Sequence, residues 1–286
     1  MKKILYFLGM IAILTSCEDV VDIDTPTEPP RLSVDAVIRL DTTLASTTAR
    51  IRVNLSSSFF DNNEPLSVKS VFIQNLDYAP EDPSKSNVLF FFEVAPGVYE
   101  GTKETSFFTT GKLSLHIEYN KEKYYAETEF VPTSPINKLE QGNETLFSGD
   151  ETEVVISFTD DGTRDDFYIF DFDFNEYLVS EDEFYQGQEF EFSYFYGDSI
   201  KPGQEINISI MGADESFYNY MNQVIVQSSS GDQGPFQTPA ATVRGNIFNI
   251  TGIENLDDLQ SIEQTDNFAL GYFAVVQEFK QTIIIE

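Results

Sequence analysis

The densest group of potential metal ligands in the sequence lies between residues 160 and 176. It comprises Asp160, Asp161, Asp165, Asp166, Asp171, Asp173, Asn175 and Glu176. Oxygen ligands from a loop are those that Ca²⁺ prefers, although the spacing lacks the central glycine and the final glutamate of an EF-hand. The first four residues are therefore candidate calcium ligands. The alternative, which we favour because charge runs are usually solvated, is the exposed face of an ordinary strand.

Aromatic side chains could form a second kind of site. Tyr185, Tyr194 and Tyr196 lie in or beside two turn-rich segments. Tyrosines at loop tips can stack on sugar rings or anchor a protein partner. These three are therefore candidate contacts to a ligand or a partner. The alternative, which we again favour, is that alternating aromatic residues fill a β core.

Residue patterns typical of enzymes are missing from the sequence. It contains no nucleophile-elbow serine and no glycine-rich phosphate loop. Its 48 acidic residues include no pair that the pattern singles out for glycoside hydrolysis. His116 lies at an outward position of an alternating strand, where an ordinary surface histidine is expected. We therefore expect no enzymatic activity.

The composition excludes several classes of protein. Seventeen Lys and Arg residues stand against 48 acidic ones, which gives a formal charge of −31 and argues against nucleic-acid binding. One cysteine and one histidine rule out an internal disulfide framework and the usual zinc sites. The chain is 41 % hydrophobic and 14 % aromatic, which is enough to fill a core.

The N-terminus has the features of a lipoprotein signal peptide. Lys2 and Lys3 precede an apolar stretch, residues 4–14, that is too short to cross a membrane as a helix. Leu14-Thr15-Ser16-Cys17 then resembles a bacterial lipobox. We expect residues 1–16 to be removed and Cys17 to carry the lipid. The less favoured alternative is a buried core cysteine at the end of an apolar helix.

The residues after Cys17 form an acidic, proline-containing tether over residues 17–30. Glu18 and Asp19 follow the cysteine directly, and Asp22 and Asp24 come soon after. This run resembles the export signal of Bacteroidetes-type surface lipoproteins. The sequence therefore predicts a protein anchored in the outer membrane by its lipid and facing outward.

The body of the chain is predicted to be mainly β. Period-two segments and turn signals over residues 31–131 indicate an immunoglobulin-like antiparallel β-sandwich. Turns are expected at Pro96-Gly97 and at Asn120-Lys121-Glu122. Two prolines within residues 131–135 mark the predicted domain boundary.

A second β-rich domain with one short helix is predicted over residues 136–286. Residues 167–178 are interpreted as one strand of this domain. The helix is placed near residues 214–227, with Asp214 as its cap. Its apolar residues, which we expect to pack on the second sheet, are Phe217, Tyr220, Met221 and Val224.

Several motifs together resemble a known family. The lipobox, residues 34–38, Gly245-Asn246-Ile247 and Leu270-Gly271-Tyr272-Phe273 are similar to the Bacteroidetes outer-membrane lipoproteins called domain of unknown function 4249. The resemblance implies a lipoprotein encoded beside TonB-dependent receptors, and it implies no catalytic residues. We therefore expect a non-enzymatic accessory or ligand-capture partner of such a transporter. The alternative is an adhesion or carbohydrate-binding lipoprotein.

Overall fold

The computed structural model describes residues 29–57, 64–78, 86–146, 149–197, 200–228, 242–253 and 268–286. The predicted signal peptide, Cys17 and most of the tether lie outside these residues. The strands are β1 (Leu32–Leu40), β2 (Ser46–Leu55), β3 (Glu64–Pro65), β4 (Ser70–Asn75), β5 (Val88–Phe90), β6 (Phe92–Ala95), β7 (Val98–Glu104), β8 (Lys112–Tyr119), β9 (Glu122–Val131), β10 (Ile136–Gln141), β11 (Thr152–Thr159), β12 (Phe167–Asp171), β13 (Tyr177–Glu181), β14 (Glu189–Tyr196), β15 (Glu205–Ala213), β16 (Phe248–Asn249) and β17 (Leu270–Ile284). The helices are α1 (Thr105–Phe108) and α2 (Glu215–Ser228). The prediction of a mainly β fold with a short helix is confirmed.

The N-terminal part of the fold is a β-sandwich. One layer has the strand order β6-β7-β2-β1-β17, and the other has the order β5-β4-β8-β9. Alternate residues of β1 point into the core, and Val34, Ile38 and Leu40 are at most 2 % exposed. Val71 and Leu115 meet them from the facing layer. Strict period-two alternation thus produces one buried face on each layer.

Two predicted turns close hairpins as expected. Asn120 and Lys121 have φ angles of +48° and +69°, which matches the primed turn that two-residue hairpin loops prefer. They join β8 to β9. Gly97 has a φ of +69°, and a Cβ at this position would lie 2.6 Å from the carbonyl oxygen of Val53. Only glycine fits there without a shift of the backbone.

The C-terminal part forms a second core. The sheet β10-β11-β14 covers β12, β15 and the end of β17, with Phe158, Phe170 and Ile208 fully buried between the layers. Strand β17 belongs to both parts, since it pairs in parallel with β1 from Leu270 to Gln277 and antiparallel with β15 afterwards. The division into domains 31–131 and 136–286 stays a prediction, and β17 pairs with strands on both sides of it.

The interpretation of residues 167–178 as one strand is wrong. β12 ends at Asp171, and β13 begins at Tyr177 as its antiparallel partner. Between them Asp173, Phe174 and Asn175 all have left-handed φ angles of 64°, 51° and 64°, which reverses the chain. The Asp173 carboxylate stabilises this turn by accepting hydrogen bonds from the backbone and side chain of Asn207.

The predicted helix is present as α2. Its first turn is capped as expected, because the Phe217 N–H donates to Oδ1 of Asp214 at 2.7 Å. The helix lies on β12, β13 and β15, where Tyr218 packs against Phe167 with ring centroids 5.1 Å apart. In the part of the chain that the structure describes, no helix is long and apolar enough to span a membrane.

Candidate binding cleft

A cleft of about 910 Å³ lies between the outer face of the first sheet and helix α2. We call it the β1–α2 cleft. Its lining has three sides, which include the floor (Asp35, Arg39, Arg50, Arg52, Glu100), the helix wall (Phe217, Tyr220, Met221, Val224) and the base (Ile169, Met211, Tyr272, Glu278). Its volume falls within the range of ligand sites in proteins.

The floor consists of the outward-facing residues of β1, β2 and β7. Because every second side chain of a strand points to the same face, Asp35 and Arg39 turn away from the core that holds Val34 and Ile38. Asp35 pairs across the strands with Arg52, and Arg50 pairs with Glu100. The floor is therefore a row of opposite charges laid across three strands.

The wall consists of one stripe of α2. Residues 217, 220, 221 and 224 recur at intervals of three and four, which places them on one helix face. The rings of Phe217 and Tyr220 each lie 4.8 Å from the ring of Tyr272 in β17. Burial raises the pKa of Tyr220, and the nearby Asp35 raises it further. The Tyr220 hydroxyl thus stays protonated at neutral pH.

Arg39 lies at the deep end of the floor with two acidic partners. Its Nη1 atom donates to Asp171 at 2.7 Å and to Glu278 at 3.3 Å. Burial alone lowers the pKa of Arg39, but the hydrogen bond to Asp171 and the charges of Asp171 and Glu278 outweigh burial and raise it. Removing Arg39 would leave two largely buried carboxylates without their cation.

The other two arginines of the floor are more exposed. Arg50 donates to Glu100 through Nε at 2.8 Å and Nη2 at 2.6 Å, and its side chain is 55 % exposed. Arg52 donates to Asp35 at 3.1 Å and is 53 % exposed. Such exposed pairs contribute only about 0.2–1 kcal/mol each. Both guanidinium groups are therefore accessible to a ligand carboxylate.

The predicted calcium ligands have protein partners. Asp160 accepts hydrogen bonds from the Tyr168 hydroxyl and from the Gly187 N–H, and Asp166 accepts one from Arg164 at 2.9 Å. Asp161 and Asp165 accept from Thr163 and Gln186 respectively. Burial raises the pKa of Asp166, and Asp160 adds to this, although Arg164 opposes it.

Two of the four predicted calcium ligands are buried. Asp160 and Asp166 are 5 % and 7 % exposed, so these two acids lie in the protein interior rather than on a solvated face. Within the described ranges, no three His, Cys, Asp or Glu side chains come together in a group that could hold a metal ion.

The three tyrosines of the predicted aromatic site are buried or half-buried. Tyr185 and Tyr196 are 7 % and 1 % exposed and belong to the second core. Tyr194 packs on Phe172 with stacked rings 3.8 Å apart. Tyr185 and Tyr196 therefore lie in the core, as the favoured alternative expects, and Tyr194 is half-buried, because alternate aromatic residues of β14 pack between two layers. Phe184, next to Tyr185, is the residue that reaches solvent, at 85 % exposure.

His116 belongs to a row of aromatic rings that sequence reasoning missed. The row crosses the outer face of β5, β4, β8 and β9, with Phe72 5.6 Å from Phe90 and 4.4 Å from His116, which lies 4.9 Å from Tyr125. Burial lowers the pKa of His116 below its ordinary value. Only cross-strand register brings these residues together, and the sequence does not display that register.

Two glycine motifs that the sequence singled out meet at one place. A Cβ on Gly245 would lie 1.6 Å from the carbonyl oxygen of Gly271, and a Cβ on Gly271 would lie 1.9 Å from that of Val34. Gly271 also has a φ of +96°. These motifs thus allow the segment around residue 245, β17 and β1 to approach closely beside the cleft.

The chain matches one family model, described as a domain of unknown function (DUF4249), over residues 18–255. This range is more than half of the chain, and it includes β1, β2 and α2 of the cleft. It confirms the resemblance to domain of unknown function 4249. No curated protein matches the chain.

Proposed function

The chain belongs to the DUF4249 family, and from this premise we propose that it is a non-enzymatic, lipid-anchored protein of the outer membrane. In this proposal it faces outward and acts as an accessory or ligand-capture partner of a TonB-dependent transporter. The β1–α2 cleft is the surface that holds the ligand or the partner.

The observation that carries the proposal is the construction of the cleft. Its floor and wall stand on strands and a helix, whose backbones are fixed by hydrogen bonds, so the site is preformed. Apolar side chains line one side and charged groups the other, an arrangement typical of binding sites. A preformed cleft of this kind suits capture of another molecule.

The N-terminal sequence supports the location. The lipobox that ends at Cys17 predicts acylation, and each buried CH₂ of a lipid contributes about 0.8 kcal/mol to anchoring. Removal of residues 1–16 also removes Lys2 and Lys3, which makes the charge more negative than −31. Repulsion from anionic headgroups then holds the body away from the bilayer. The lipid remains the main attachment.

Co-purification tests the proposal. An affinity-tagged full-length chain is expressed in its native host, the outer membrane is solubilised in mild detergent, and captured proteins are quantified by mass spectrometry. We expect a TonB-dependent receptor in stoichiometric amount. Capture of the tagged chain alone, from membranes that contain such receptors, would overturn the proposal.

A matched control separates anchoring from binding. Cys17→Ser cannot be acylated, and we expect it to leave the membrane fraction while its folded body stays intact. If the variant stays in the outer membrane to the same extent as the natural chain, the lipid-anchor part of the proposal is wrong.

A further inference from the structure

We infer that the β1–α2 cleft binds an extended peptide segment of about six residues in which acidic and apolar side chains alternate. The acidic side chains face Arg50 and Arg52, and the apolar side chains face the α2 wall. This inference rests on the proposed function in one respect, namely that the cleft is a binding site. It adds the chemistry and the conformation of the ligand.

The dimensions of the cleft favour an extended chain. The lining residues of β1 run from Ser33 to Arg39, six residue steps that span about 20 Å at about 3.3 Å each. An extended segment rises at the same rate per residue as β1, so about six of its residues match this length.

The two sides of the cleft require different side chains. Charged groups of β1 and β2 lie on the floor, while Tyr220, Met221 and Val224 of α2 form an apolar wall. Successive side chains of an extended segment point in opposite directions. A segment with strict alternation therefore presents one chemistry to the floor and the other to the wall.

Charge complementarity selects acidic rather than basic residues. The chain carries a net charge of −31, yet the floor exposes more positive than negative charge, because Arg50 and Arg52 are more than half exposed whereas Glu100, Asp171 and Glu278 are 16–27 % exposed and Asp35 alone of these acids is open. The accessible charge of the floor is therefore opposite in sign to that of the whole molecule. Elsewhere an acidic segment is repelled, so the cleft is the place that its electrostatic interactions favour.

The two exposed arginines can each take a second partner. Arg50 and Arg52 are each more than half exposed, and each has one acidic partner in the floor. Guanidinium groups offer five N–H donors, so each can bind a second carboxylate without releasing the first. Arg39 already holds Asp171 and Glu278. We therefore assign the ligand contacts to Arg50 and Arg52.

Binding of synthetic peptides to the full chain tests the inference. The probe is a fluorescent hexapeptide in which Glu and Val alternate, measured by anisotropy at low ionic strength. We expect saturable binding that weakens as salt rises. The double variant Arg50→Ala/Arg52→Ala and the wall variant Met221→Ser should each raise Kd at least about tenfold. Asn222→Ser, on the exposed side of α2, should leave Kd unchanged.

Two control peptides separate the elements of the inference. A peptide with Lys in place of Glu should not bind. A peptide of the same composition in two blocks, three Glu then three Val, should bind at least about tenfold more weakly. Equal binding of the block peptide would identify the site as one for any anionic amphiphile and would overturn the extended segment. Equal binding of the Lys peptide, or no binding of the alternating one, would overturn the inference.

The outcome is distinguishable from failure of the proposed function. If the transporter co-purifies but the alternating peptide does not bind, the function stands and this inference is wrong. If the peptide binds through Arg50 and Arg52 but no transporter co-purifies, the cleft binds such segments from some other protein.

Discussion

The Asn246 side chain forms two hydrogen bonds with the backbone of Phe273. Its Oδ1 accepts from the Phe273 N–H, and its Nδ2 donates to the Phe273 carbonyl, each at 2.8 Å. Nδ2 also donates to the carbonyl of Glu127 in β9 at 3.2 Å. One amide side chain thus connects β17 to β9, the strands through which the two layers of the first sandwich meet.

Replacing Asn246 should destabilise the fold. In Asn246→Ala the backbone groups of Phe273 lose their partners, and a buried unsatisfied group costs about 1–3 kcal/mol. Urea denaturation followed by circular dichroism measures the effect. Asn222→Ala, an exposed position of α2, is the control and should change the free energy of unfolding by less than about 0.5 kcal/mol. Equal stability of the two variants would contradict the assigned role.

Alanine at either glycine of the junction should also destabilise the fold. A Cβ at Gly245 or Gly271 would lie less than 2 Å from a carbonyl oxygen, so the backbone must shift. We expect each substitution to lower the free energy of unfolding by at least about 2 kcal/mol. At Gly197 a Cβ meets nothing within 4 Å, and Gly197→Ala should be neutral. A neutral Gly245→Ala would show that the close approach is not required.

The two kinds of ion pair in the cleft should differ in their effect on stability. Arg39→Met leaves the partly buried carboxylates of Asp171 and Glu278 without their cation, and the loss of a partner for such groups costs about 1–3 kcal/mol. Arg52→Ala breaks the exposed pair with Asp35 and should cost less than about 1 kcal/mol. Thermal unfolding at matched pH and ionic strength compares them. A larger loss in the Arg52 variant would contradict the burial that we describe.

His116 should titrate below the ordinary histidine value. Burial favours the neutral ring and lowers the pKa of His116 from 6.5, so the folded state binds its proton at lower pH than the unfolded chain. The stability that this difference contributes is present above pH 6.5 and is lost as pH falls toward the folded-state pKa.

NMR titration of the single histidine measures this pKa without overlap, because the chain has one His. A midpoint at or above 6.5 would contradict the half-buried position of the ring. In His116→Phe, the slope of stability against pH just below 6.5 should become smaller.

Local patterns predicted the parts of the fold that depend on near neighbours. The capped helix α2, the hairpin at Asn120 and the alternating strands β1 and β2 follow from short-range periodicity and turn chemistry. The break at Asp173 was missed, because three left-handed residues in succession are rare for residues other than glycine. Nothing in the pattern of aromatic and acidic residues marks the break.

The cleft was not predictable because its sides come from distant parts of the chain. Asp35 and Tyr272 are register partners in parallel strands, more than 200 residues apart in the sequence. The helix stripe was recognised, but its exposed partner surface on β1 and β2 reads as an ordinary polar strand face. The burial of Tyr185 and Tyr196 could not be settled from the sequence, since buried and exposed aromatic residues look alike in an alternating strand.

Photo-crosslinking in living cells tests most directly whether the β1–α2 cleft holds the partner in the outer membrane. A benzophenone amino acid replaces Met221 on the cleft wall or Asn222 on the exposed side of the same helix. We expect irradiation at residue 221 to give a covalent product with a TonB-dependent transporter, and residue 222 to give none. The same products from both positions, or no product from residue 221 in membranes that contain the transporter, would contradict the account.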